Sequence, residues 1–140
     1  MLRAVRFAVG LSVATYAVMT VMAIVSSFRS AVHRSDGLLE YLRHEPEMFM
    51  LAVFPSLAML VAGLAAHAFT RGIAHRPLRI VVMTGIVPAI AFPLAVVMIS
   101  RGVNVFVALE TLLFLLLPYV LVTFIYTAVF LDTVEAPLED

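Results

Sequence analysis

The placement of charge constrains this chain more than any motif does. No Asp, Glu, Lys or Arg occurs at 7–28, between Arg6 and Arg29. The same holds for 48–70, between Glu47 and Arg71, for 80–100, between Arg79 and Arg101, and for 111–131, between Glu110 and Asp132. Roughly 20 apolar residues span the hydrocarbon core of a bilayer as a helix, and each run reaches that length. Lipid cannot satisfy peptide groups, so a spanning segment must be a helix or part of a closed barrel. Barrel strands alternate apolar and polar residues, and these runs do not. The expectation is an all-α polytopic membrane protein: a single domain, 1–140, of four transmembrane helices in an up-down bundle.

Composition agrees. Hydrophobic residues make up 64% of the 140 residues and charged residues 13%. Soluble domains sit near half apolar and about a quarter charged. So large an excess cannot be hidden in one small core, and much of it must face lipid. The formal net charge is zero, which gives no reason to expect a nucleic-acid partner. The chain has no cysteine, which excludes disulfides, thiolate metal sites and dithiol redox chemistry. All nine basic residues are arginine. Arginine without lysine, amid abundant Ala, Val and Leu, points to a GC-rich bacterial genome and hence to a bacterial inner membrane.

Arg3 and Arg6 before an apolar run imitate a secretory signal. The run exceeds the roughly 7–15 residues of a signal's apolar region, and three more spans follow, so it reads as a retained first helix. Even-numbered spans put both termini on one side. That side holds Arg3, Arg6, Arg71, Arg76 and Arg79, against Arg29, Arg34, Arg43 and Arg101 on the other. The compact 71–79 loop and the N-terminal pair favour cytoplasmic termini. Asp132, Glu135, Glu139 and Asp140 form a short acidic tail over 132–140. In the outer loop, 29–47, Asp36 is a natural N-cap. Leu38, Leu39, Tyr41 and Leu42 then alternate with charged residues, which predicts a short amphipathic periplasmic helix between the first two spans. Residues 102–131 are too long for one span, about 45 Å as helix. Residues 102–109 are therefore expected to lie at the interface, or the helix to protrude or tilt.

Few residues offer chemistry. Glu110 is an intramembrane carboxylate or, counting back from Asp132, a residue at the outer boundary. On a helical wheel it shares a face with Phe114, Leu117 and Leu121, while Tyr119, Thr123 and Tyr126 lie opposite. His67 shares a face with Ser56, Gly63 and Thr70. It is a packed histidine, or else a haem ligand, quinone contact or protonation site. A bis-histidine haem needs a second intramembrane histidine, and His33, His44 and His75 all fall in loops. Small and polar residues recur at helical spacing: Ala4, Ala8 and Ser12, with Tyr16 in the same stripe; Ala58, Ala62 and Ala66 beside Gly63; and Gly85 with Ala89. Such faces let membrane helices approach closely. Pro55, Pro88, Pro93 and Pro118 sit inside spans, and the third span, with two, is the one expected to bend.

Several functions are excluded. Disulfide-generating quinone reductases need cysteine pairs, and four-helix b-type cytochromes need paired intramembrane histidines. Small multidrug exporters need a glutamate in the middle of the first helix, where this chain has none. No nucleophile elbow, P-loop or metal-ligand pair occurs, and no metal or cofactor is expected. Two expectations remain. One is a non-catalytic subunit or packing partner of a larger membrane complex or homo-oligomer. The other is a small transporter or channel using Glu110, His67 and the third helix.

Overall fold

A computed structural model describes the backbone at 2–34, 47–100 and 105–135, and side chains at 2–25, 52–98 and 116–133. The described backbone is helical apart from one turn. The helices are α1 (Leu2–Arg34), α2 (Glu47–Thr70), α3 (Arg76–Ser100) and α4 (Val105–Glu135). Each contains a stretch long and apolar enough to cross a membrane: Leu2–Val25, Ala52–Thr70, Arg76–Met98 and Leu116–Thr133. Among the described residues the fold is all-helical, with the character of a multi-pass membrane protein. The expected amphipathic helix after Asp36 lies outside the described residues.

The helices outrun the charge-free stretches because a helix continues wherever its own hydrogen bonds continue. Arg76 and Pro77 start α3, which begins four residues ahead of the apolar run. Proline suits a first helical turn, where its missing N–H costs nothing. The Arg79 amide already donates to the His75 carbonyl at 2.9 Å. The intervening turn closes with the Ile73 amide donating to the Thr70 carbonyl at 3.0 Å. At the far end α4 begins at Val105, so Glu110 sits five residues inside a helix of 31 residues. Residues 105–109 are therefore helical, and the 31 residues of α4 rise about 46 Å, more than the roughly 30 Å of a hydrocarbon core. α2, α3 and α4 run unbroken through their prolines.

Each helix packs on its neighbour in sequence, and α4 returns to α1. Contacts fix the relative directions. Phe7 lies against His67, Ala8 and Leu11 against Gly63, and Ser12 against Ser56. Numbers rise along α1 as they fall along α2. Arg79 meets Thr70, and Arg76 meets Ala128 and Asp132. The N-terminal parts of α1 and α3 and the C-terminal parts of α2 and α4 therefore gather at one end.

The core has a simple pattern. Buried residues recur every fourth position: Phe7, Leu11, Thr15 and Met19 on α1; Ala58, Ala62, Ala66 and Thr70 on α2. The same spacing gives Arg79, Met83, Val87, Ala91 and Ala95 on α3, and Tyr119, Thr123, Thr127 and Leu131 on α4. A row at spacing four is a helix ridge inclined about 26° to the axis, and such ridges from two helices interlock. The opposite faces are apolar and open, with Val13, Val81, Leu117 and Phe69 among the most exposed residues. A soluble protein would not leave so continuous an apolar exterior in water.

A candidate site at the loop end of the bundle

The end that collects residues 7, 67, 79 and 126 holds the most polar interior among the described residues. His67, on the last turn of α2, is only 6% exposed. Its ring lies 5.9 Å from that of Phe7, tilted by 44°. Phe7 in turn stands 5.5 Å from Tyr126 at 60°, and Tyr126 stacks on Phe130 at 5.1 Å. These separations fall in the range where aromatic pairs attract beyond mere burial. Phe7 is fully buried and touches rings on both α2 and α4, so it joins three helices.

Arg79 enters the same interior from α3 and is 8% exposed. Its Nε donates to the Thr70 hydroxyl at 3.5 Å, a long bond, while that hydroxyl donates to the Ala66 carbonyl at 2.8 Å. A buried guanidinium carries a large desolvation cost that neighbouring dipoles must offset. Sequence reading counted Arg79 as a loop residue and missed this. The available signal was its spacing: four residues before Met83, it heads the buried row Met83, Val87, Ala91. Arg76, one turn closer to the helix start, stays outside. It forms an exposed ion pair with Asp132 at 2.9 Å and donates to the Ala128 carbonyl at 2.9 Å, tying α3 to α4.

Further into the bundle the polar groups become hydroxyls. Tyr119, Thr123 and Thr127 are fully buried on one row of α4. Thr123 donates to the Tyr119 carbonyl at 2.7 Å, and Thr15 on α1 does the same to Leu11 at 2.8 Å. These bonds to the preceding turn make a threonine compatible with an apolar interior. Tyr119 Oη and Thr127 Oγ1 are also shut off from solvent, yet have no hydrogen-bond partner among the described residues. A buried hydroxyl left unpaired costs about 1–3 kcal/mol.

The small-residue positions divide into two sets. Ala58, Ala62, Gly63 and Ala66 are buried, and a Cβ on Gly63 would stand 3.2 Å from the Ala8 Cα. Ser12 is half-buried and donates to the Ser56 carbonyl at 2.8 Å, a bond between α1 and α2. Tyr16, Gly85 and Ala89 instead lie on outward faces, with nothing within 4 Å of a Cβ built on Gly85. The fully buried rows of these helices run instead through Thr15 on α1 and through Met83 and Val87 on α3. Tyr126 is half-buried toward α1. The Glu110 side chain lies outside the described residues, but Leu117 and Leu121, on its face of α4, point outward. The interior polar row is therefore the opposite face, carrying Tyr119 and Thr123. Gly10 was missed altogether. A Cβ there would collide with the Tyr126 hydroxyl, so the tyrosine occupies the notch the glycine leaves.

Among the described residues no three His, Asp or Glu side chains converge as a metal site. What the arrangement offers is a buried cation, a buried imidazole and unpaired hydroxyls within a tight helical frame. No protein family, no curated protein and no solved structure matches this chain.

Proposed function

We propose that this chain is a small bacterial inner-membrane protein that acts as a non-catalytic subunit or packing partner of a larger membrane assembly, or of its own oligomer. Its four helices alternate up and down across the bilayer with both termini in the cytoplasm, and the outer loop at 29–47 lies on the periplasmic side. The observation that carries this reading is the outward face of α3. Gly85 and Ala89 are exposed at spacing four in mid-helix, and nothing among the described residues lies within 4 Å of a Cβ built on Gly85. In lipid, helices associate through close van der Waals packing, and a small-xxx-small face is where another helix approaches.

Purification from the native membrane in mild detergent tests the reading. The expected result is a stoichiometric partner, or an oligomeric mass that Gly85→Leu reduces. A uniform monomer in every mild detergent overturns it. A reporter fused after Asp140 is expected to be cytoplasmic, and a periplasmic signal refutes the orientation.

The buried polar end, through His67, favours one other reading, a small transporter or channel that uses His67, Glu110 and the proline-containing third helix. His67→Ala or Glu110→Gln would then abolish flux in vesicles without loss of expression, and wild-type flux in both variants removes them from any mechanism.

A further inference from the structure

Among the described residues, the seam between α1 and α4 combines three features. It is the slimmest of the four pairings. At Gly10 its fit is made by the end of the Tyr126 side chain, lodged where a Cβ would be. One heptad back from Tyr126, on the same side of α4, lies Tyr119, whose hydroxyl is fully buried and unpartnered among the described residues. Native interiors pair nearly all their buried polar groups, and one left unpaired calls for an explanation. A state in which the group finds a partner supplies it.

We propose that the α1–α4 seam is a lateral entrance, and that a hydrogen-bonding ligand passing through it engages the Tyr119 hydroxyl. The ligand is water or the polar head of a bilayer amphiphile, and either offers the phenol an acceptor. Tyr126 is the latch. In the closed bundle its ring fills the Gly10 notch and touches Phe7, so the entrance is shut and Tyr119 is stranded. When the ring leaves the notch, α4 parts from α1 where the contact is thinnest. Pro118, adjacent to Tyr119, withholds one N–H from the α4 ladder and eases bending at that level. The stranded hydroxyl gains its bond only in the open state, which lowers the free energy of opening. This inference is independent of whether the chain works as a subunit.

The chain lacks cysteine, so single thiols report without background. Ala14→Cys places one on the face of α1 that holds Gly10, one turn further into the membrane, at a half-buried position. Ala91→Cys, fully buried on α3, is the closed control, and Val13→Cys, exposed on α1, is the lipid control. Full-length protein in nanodiscs is treated with a charged thiol reagent and, separately, with a lipid-soluble maleimide. The expected result is modification of Ala14→Cys several-fold faster than Ala91→Cys. Reaction with the charged reagent identifies water as the entrant, and reaction with the lipid-soluble reagent alone identifies an amphiphile. Gly10→Ala, which dislodges Tyr126, should raise the rate further; Tyr126→Leu serves the same purpose should that variant not fold. Tyr119→Phe should lower the rate without changing that of Val13→Cys. Ala14→Cys as inert as Ala91→Cys to both reagents, or rates indifferent to Tyr119→Phe, would overturn the proposal.

Discussion

α1 faces two neighbours, and the two contacts are made of different material. Against α2 it presents backbone. Ala8 and Leu11 close on Gly63 so that an added methyl would stand 3.2 Å from the Ala8 Cα and the neighbours would have to give by a few tenths of an ångström, and Ser12 bonds directly to a carbonyl of the other helix. Against α4 it presents a notch, filled by the end of the Tyr126 side chain. Backbone cannot yield without moving a whole helix, whereas a tyrosine ring can leave by rotating two torsions. One contact sets the helix pair rigidly, and the other can be undone at modest cost. In a membrane this difference matters more than in water, because no hydrophobic force presses the helices back together.

Substitutions can break or sharpen the contrast, with stability read by unfolding in mixed micelles. Phe7→Ala is expected to do most damage, about 3 kcal/mol, since it empties a fully buried site shared by both contacts. Gly63→Leu should cost about 2 kcal/mol, because the side chain meets α1 backbone and overpacking cannot relax. Gly10→Ala should cost less, about 1 kcal/mol, because Tyr126 can turn aside. If Gly10→Ala proves as damaging as Gly63→Leu, the two contacts are not different in kind. Ser12→Ala removes one interhelical hydrogen bond and should cost about 0.6 kcal/mol. Asp132→Asn breaks an ion pair exposed on both sides and should lower stability by only about 0.3 kcal/mol, an effect that salt removes.

Much of this arrangement was legible in the chain. Charge-free runs located all four helices, because membrane burial forbids charge whatever the packing. Ala58, Ala62 and Ala66, at spacing four, all lie buried on α2. The wheel that set Tyr119 and Thr123 opposite Leu117 and Leu121 matches the buried and exposed faces of α4. What eluded sequence reading has a common physical cause. Small-xxx-small spacing shows that a face can pack closely, but not which helix it meets. Ala62 and Gly63 therefore sit inside the chain while Gly85 and Ala89, with the same signature, look outward. Charge also misleads near a boundary. Arg79 was set outside because it is charged, yet its aliphatic stem and helical row draw it in. Gly10 gave no sign, since a lone glycine matters only when one sees the ring that needs its space.

The account rests on one contact being fixed and the other separable. Paired spin labels on the cysteine-free chain measure both. Val9, Leu64 and Ile125 are exposed and should tolerate labels. In nanodiscs, pulsed dipolar spectroscopy between 9 and 64 should give one narrow distance across α1 and α2. Between 9 and 125 it should give a broader distribution with a second, longer component, and Gly10→Ala should enlarge that component. Equal narrow distances across both contacts, unchanged by Gly10→Ala, would contradict the account.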